Sequence, residues 1–169
     1  MQTRSEFEEF AMAATPSLLR SAYLLTGDQQ LAEDLVQSAL ARTHRYWRNI
    51  TTSGNATAYT RKVMYHLQVS RWRRRRVTEQ LRDRPIELSV PDRSADIDMK
   101  LSLRSALATL TPRQRAVVVL RYFEDRSVAE TATLLGCSEG SIKSQTFRAL
   151  NKLRDALPQL TDLLNGVTR

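Results

Sequence analysis

The chain has a single cysteine, Cys137, in 169 residues, so an intramolecular disulfide and a cysteine-built zinc site are both excluded. Its two histidines, His44 and His66, are far apart and lack an i+4 partner of ligand type, and no metal site is expected. Glycine is scarce, at five. Neither GxGxxG nor GxxxxGK[ST] occurs, which removes the usual sequence support for a phosphate-cradling nucleotide fold. No run approaches the roughly 18 to 20 consecutive apolar residues that span a bilayer. The start MQTRSEFEEF is acidic where a signal peptide would be basic and then apolar, so a cytoplasmic protein without membrane association is expected. Glu124 and Asp125 are adjacent, but no base or metal partner accompanies them. Neither enzymatic activity nor a cofactor is therefore expected.

What is present is a core-forming content of 41% apolar residues, together with 26% charged residues that are distributed unevenly. Residues 1–40 carry two arginines against six acids, residues 41–76 carry ten Arg and Lys and no acid, residues 77–99 carry three against six, and residues 100–169 carry eleven against six. An acid-free stretch of 36 residues attracts a polyanion, and counterion release makes that attraction salt-dependent. Nucleic acid is the expected partner. Arginine outnumbers lysine 22 to 4, which suits bidentate contact with phosphates and base edges, although codon usage in a GC-rich genome has the same effect.

Helical signals dominate and the fold class read from them is all-α: two small helical domains joined by a flexible linker. Capping boxes are expected at Ser5 to Glu8, Thr111 to Gln114 with Pro112 at the first helical position, and Ser127 to Glu130. The first domain, residues 1–76, reads as four helices. The first runs from Ser5 to Ala14, and a second from a Thr15-Pro16 cap to Gly27. The third runs from Gln29 to Trp47 behind an Asp28 cap, with Leu31, Leu35, Ala39 and Tyr46 near one stripe. A loop over 48–57 then leads to a fourth helix at 56–76, whose inward positions are Tyr59, Val63, Leu67 and Ser70 and whose end is the run Arg71-Trp72-Arg73-Arg74-Arg75-Arg76. Residues 77–99, with Pro85 and Pro91 among six acids, read as an acidic linker. The second domain, residues 100–157, holds helices at 100–109, 112–123, 128–135 and 139–156, and residues 158–169 form a tail. Gly136-Cys137-Ser138 between the last two helices is the three-residue turn of a helix-turn-helix, whose second helix enters the major groove. That helix turns Ile142, Thr146, Ala149, Leu150 and Leu153 inward, leaving Ser141, Lys143, Ser144, Gln145, Arg148 and Lys152 outward.

With these residues in view, the chain resembles an extracytoplasmic-function sigma factor of bacterial RNA polymerase. LAEDLVQSAL at 31–40 is similar to the family's polymerase-clamp-binding helix, and AYTRKVMYHLQVSRWRRRR at 58–76 to its minus-ten helix. The block LTPRQRAVVVLRYFEDRSVAETATLLGCSEGSIKSQTFRALNKLR at 110–154 resembles its fourth region. The resemblance implies a factor that binds core polymerase, at the beta-prime clamp and beta flap, recognises the minus-thirty-five and minus-ten elements and melts promoter DNA. It implies clamp contacts from Asp34 and Gln37, with Glu33 and Leu35 beside them. Minus-ten contacts would come from Trp47, Arg48, Asn49, Asn55, Arg61, Lys62, His66, Ser70, Arg71, Arg73 and Arg74, with the 48–57 loop capturing a flipped base. Minus-thirty-five contacts would come from Ser141, Lys143, Ser144, Gln145, Phe147 and Arg148, and phosphate contacts from Arg113, Arg115, Arg121 and Arg126. Three positions depart from the common pattern: His66 and Ser70 stand where many members carry Asn and Asp, and Gln145 where Arg is common.

The implied partners are core polymerase, double- and single-stranded promoter DNA and an anti-sigma factor, the free chain being a monomer. The alternative is a stand-alone helix-turn-helix regulator, which would need a dimer helix that the sequence does not offer. Ordinary structural roles compete at several positions: Trp47 and Trp72 as core aromatics, His44 and His66 as helix-surface histidines, Cys137 as a small buried residue, and the arginine run as a solvated helix end complementing the dipole.

Overall fold

The structure, a computed structural model, describes residues 2–80 and 103–157, and every element in them is helical. Helix α1 is Gln2–Thr26, one continuous helix across Pro16 where two were expected. Proline lacks an N–H and costs a helix interior about 3 kcal/mol. Ala14, Leu18, Ala22 and Leu25 continue one buried stripe through the site, and tertiary burial of that stripe outweighs the local cost. Thr15 caps nothing, and its hydroxyl donates back to the Ala11 carbonyl at 2.6 Å. The expected Ser5 box is absent for the same reason, since the helix has begun earlier and Glu8 pairs with Arg4 at 3.0 Å.

Gly27, at φ +70°, turns the chain, and Asp28 caps helix α2 (Gln29–Arg45) by accepting from the Leu31 N–H at 2.8 Å. Ala32, Leu35, Val36, Ala39 and Thr43 are the buried face of α2, and Tyr46 lies outside it, 49% exposed. The segment expected to be a loop contains a helix, α3 (Trp47–Ser53), closed by Gly54 at φ +89°. Trp47 and Ile50, spaced i and i+3, are both buried and pin this short helix to the bundle.

Helix α4 (Ala56–Gln80) begins where the Asn55 side chain accepts from the Ala58 N–H at 3.0 Å. Its buried residues are Thr60, Met64, Tyr65 and Leu67, with Tyr59 and Val63 half-buried and Ser70 exposed. The inward face is therefore offset from the expected stripe, because α4 packs against α2 on one flank and against the second half of the chain on another. The Thr43 and Thr60 hydroxyls meet at 3.0 Å inside the α2–α4 contact, each also donating or able to donate to its own i−4 carbonyl.

In the second half, residues 103–108 form α5. Helix α6 (Pro112–Val118) opens on the expected capping box, Thr111 with Gln114, and runs into a π-helical turn at Val119–Phe123. Glu124 N–H to Val119 C=O, at 2.9 Å, closes that turn, and Asp125 then takes φ +52°, a conformation Asp tolerates. Helix α7 (Val128–Leu135) opens on the expected Ser127–Glu130 box, and Gly136 at φ +64° ends it. Ser138 caps α8 (Glu139–Ala156), completing the helix-turn-helix. Cys137 is half-buried against the core.

One apolar cluster joins the two halves. Leu18, Leu35, Met64 and Tyr65 of the first pack with Val117, Val119, Leu120, Leu135 and Ile142 of the second. A smaller cluster of Ala106, Leu107, Leu110, Val118, Ala149 and Leu153 closes the second half on itself. The linker expected at 77–99 begins with helix, since α4 continues to Gln80; its remainder and the 158–169 tail lie outside the described residues.

Candidate nucleic-acid interface

Helical periodicity sorts the cations of α4 onto different faces. Lys62, His66, Ser70, Arg73 and Arg74 recur at three- and four-residue spacing and are all exposed, forming one outward stripe with no carboxylate in it. Two other members of the expected minus-ten set sit elsewhere. Arg61 turns toward the second half, donating to the Glu124 carboxylate and to the Ser17 hydroxyl at 3.1 Å. Arg71 is half-buried and donates to Ser38 of α2 at 3.2 Å.

The outward face of α8 carries Lys143, Ser144, Phe147 and Arg148, all exposed, and Phe147 is 67% exposed although apolar. Ile142, Ala149 and Leu153 occupy the opposite, buried face, so these four side chains point away from the core. Ser141 and Gln145 are half-buried at the edge, and the Ser141 hydroxyl accepts from Ser138 at 3.0 Å. Lys152 reaches back to the Gln114 side chain at 3.2 Å.

On α2, Asp34 and Gln37 are exposed one turn apart, and Asp34 accepts from Gln30 on the same helix at 3.2 Å. Glu33 accepts from Gln29 at 2.7 Å. Leu35 is fully buried, so the expectation that it belongs to a contact surface is corrected: it anchors the helix that presents Asp34.

Around α3, Arg48, Asn49 and Asn55 are exposed, whereas Trp47 is only 7% exposed. Its ring lies edge-on to Phe7 at 5.1 Å and tilted against Phe10 at 5.0 Å, so in this fold it packs α3 onto α1 and offers no face for a base. The aromatic that is offered is Tyr46. It borders a cavity of about 780 Å³ with Arg4, Phe7, His44, Arg45 and Arg48. Sequence reasoning passed over Tyr46 as a core residue, and the signal that marks it is its place between cations in Arg45-Tyr46-Trp47-Arg48. Trp72 lines a small cleft with Arg113 and Ala116 between the halves.

The four expected phosphate-contacting arginines divide two and two. Arg113 and Arg126 are half-exposed, Arg126 lying 3.5 Å from Glu130. Arg115 is buried, with its Nε donating to Leu107 C=O at 3.0 Å and its Nη1 to Leu25 C=O at 3.4 Å, so the expectation of a phosphate contact is corrected to an internal one. Burial lowers its pKa and the neighbouring Arg104 lowers it further. Arg121 is likewise engaged, donating to the Arg126 carbonyl. Bonds from the Ser127 backbone and hydroxyl hold the Glu130 carboxyl below the usual carboxylate range, while burial pushes the Tyr65 hydroxyl up. Among the described residues no group of three His, Cys, Asp or Glu side chains could hold a metal, and no helix is long and apolar enough to cross a membrane.

Residues 11–78 match the family Sigma-70 region 2, and residues 100–153 match Sigma-70, region 4. The chain is 42% identical over 156 residues to the RNA polymerase sigma-E factor of Streptomyces coelicolor, covering 90% of this chain and 86% of the relative. It is 35% identical over 158 residues to the ECF RNA polymerase sigma factor SigL of Mycobacterium tuberculosis, covering 90% and 86%. Among solved structures it is similar to the sigma factor RpoE of Bartonella quintana, crystallised with the anti-sigma factor NepR, with a TM-score of 0.72 and 27% identity over 90% of this chain and 97% of that one. An exposed cationic helix in the half that matches region 2, a helix-turn-helix in the half that matches region 4, and this degree of identity together place the chain in the extracytoplasmic-function sigma factors of bacterial RNA polymerase.

Proposed function

We propose that α4 and α8 are the two promoter-reading helices of this sigma factor, α4 for the minus-ten element and α8 for the minus-thirty-five element. The observation that carries this reading is that both helices turn their hydrogen-bonding and cationic side chains into solvent while their apolar faces are buried. On α4, Lys62, His66, Ser70, Arg73 and Arg74 would lie along the DNA, with Arg61 and Arg71 engaged within the protein. Arg48, Asn49 and Asn55 would hold the displaced strand. Extracting a base costs a few kcal/mol of stacking. An exposed ring such as Tyr46 returns about 1 to 3 kcal/mol per stacked base. On α8, Lys143, Ser144, Phe147 and Arg148 would enter the major groove, with Ser141 and Gln145 at its edge and Arg113 and Arg126 on phosphates.

Asp34 and Gln37, with Glu33 alongside, would bind the polymerase clamp. The protein would supply promoter recognition and the polymerase the chemistry, in the cytoplasm where that polymerase works. The functional division would be residues 1–76, an acidic linker at 77–99 and residues 100–157. A compact chain of this length has a radius of gyration of about 15 Å. Elements about 25 base pairs apart are separated by about 85 Å of helix axis. The halves would therefore part when the factor engages both elements.

The test is co-elution of the purified chain with bacterial core polymerase. Asp34→Ala should lower core affinity with the helix content unchanged, because Asp34 is exposed and bonds only within its own helix. Equal affinity in the variant would remove Asp34 from the contact.

A further inference from the structure

A cavity of about 980 Å³ opens between the two halves, at the large end of the range for small-molecule sites. Five guanidiniums line it, Arg20, Arg61, Arg104, Arg115 and Arg126, against one carboxylate, Glu124. Glu124 is already engaged by Arg61 and Ser21, and Arg126 is paired outward with Glu130. Among the described residues, Arg20, Arg104 and Arg115 have no carboxylate within ion-pair distance. Arg115 is more than nine-tenths buried and its partners are two neutral carbonyls. A buried cation without a counter-ion is costly, and a second cation beside it, Arg104, adds repulsion. Apolar surface completes the lining: Arg104 stands 5.7 Å over the Tyr23 ring, and Leu24, Leu107 and a half-exposed Phe123 lie close by.

We propose that this cavity binds a multiply charged phosphate compound, a linear di- or triphosphate carried alone or on a nucleoside. Planar, forked donors converging from several directions suit successive phosphoryl groups better than a single small anion. The Tyr23 and Phe123 rings suit a base, which distinguishes a nucleotide from an inorganic polyphosphate. Arg20 and Arg61 come from the first half and Arg104, Arg115 and Arg126 from the second, so occupancy ties the halves together. Apart from Arg126, the lining shares no residue with the proposed promoter contacts, and its test needs neither polymerase nor promoter, so its failure is distinguishable from failure of the promoter assignments.

The probes are inorganic tripolyphosphate, ATP and, as the ionic-strength control, sodium sulfate, each titrated calorimetrically into the free 169-residue chain. Expected is saturable one-to-one binding of tripolyphosphate that sulfate does not reproduce, a raised unfolding midpoint and a smaller radius of gyration by X-ray scattering. Tighter binding of ATP than of tripolyphosphate identifies the nucleotide as the occupant, and equal binding the phosphate chain alone. Arg20→Ala and Arg104→Ala, both on side chains outside the buried core, should each weaken binding at least tenfold, while Arg73→Ala leaves it unchanged. Binding that follows ionic strength alone, or that is lost in Arg73→Ala and kept in Arg20→Ala and Arg104→Ala, overturns the proposal. So does binding that appears only after Asp92, Asp96 and Asp98 are changed to Asn, which would make the chain's own carboxylates the occupant.

Discussion

Arginine behaves differently on the outward stripe of α4 and on α6 with the π turn that follows it. On α4 the guanidinium of Arg73 is exposed on the outward stripe, whereas on α6 and the π turn that follows it Arg115 and Arg121 are turned inward onto backbone carbonyls. The same residue type is a solvent-facing charge in one place and a structural crossbar in the other. Charge density along the chain therefore locates a cationic region but does not say which of its cations face solvent. What separates the two uses is which side of an amphipathic helix a position occupies.

The sharpest break in this comparison is Arg115→Ala. It removes two buried hydrogen bonds, one to Leu25 C=O and one to Leu107 C=O, which keeps the Leu110 N–H at 3.1 Å, so destabilisation of about 3 kcal/mol is expected in denaturant unfolding. A loss under 0.5 kcal/mol would return Arg115 to the solvent-facing class. Next is Glu124→Gln, which cuts the ion pair between the halves, whose side chains are 18% and 8% exposed. About 2 kcal/mol should be lost, since Arg61 is then partly buried without its carboxylate. The radius of gyration should rise as the halves part, and an unchanged value would mean that the shared apolar core alone holds them.

Arg148→Ala tests the solvent-facing class on α8. Its stability should stay within wild-type error, while holoenzyme binding to a matched minus-thirty-five duplex weakens by about 1 to 3 kcal/mol if Arg148 reads a base. Equal loss on a scrambled duplex would make it a phosphate contact. The smallest effect is expected for Arg73→Ala, with stability changed by less than about 0.5 kcal/mol. Measured over a salt series, log affinity against log salt should lose about one unit of slope.

Several elements were legible because their signals are local. Thr111 with Gln114, Ser127 with Glu130, and Gly136 each act within four residues, and each is found where the sequence places it. Ile142, Ala149 and Leu153 follow the same logic, and Lys143, Ser144, Arg148 and Lys152 of the expected outward set come with them, whereas Ser141 and Gln145 are half-buried. The misreadings share the opposite property. Pro16 reads as a helix start until Leu18 and Ala22 are seen packed in the same core as Ala14. The 48–57 segment reads as a loop until Trp47 and Ile50 are seen buried together. Tyr46 and Trp47 are adjacent and alike in type, yet one is exposed and the other packed against Phe7 and Phe10, 40 and 37 residues away in sequence.

By itself the sequence determined the all-helical class, the capped helices of the second half, the helix-turn-helix and the family, because caps, glycines and 3.6-residue periodicity act over a few residues and family motifs are strings of residues. Only the tertiary structure decided which cations meet solvent. Arg61, Arg115 and Arg121 have partners 63, 90 and five residues away, and a partner that distant exists only once packing has brought the halves into one core. Even the short Arg121 contact needs the π turn and the positive φ of Asp125 to bring the Arg126 carbonyl round.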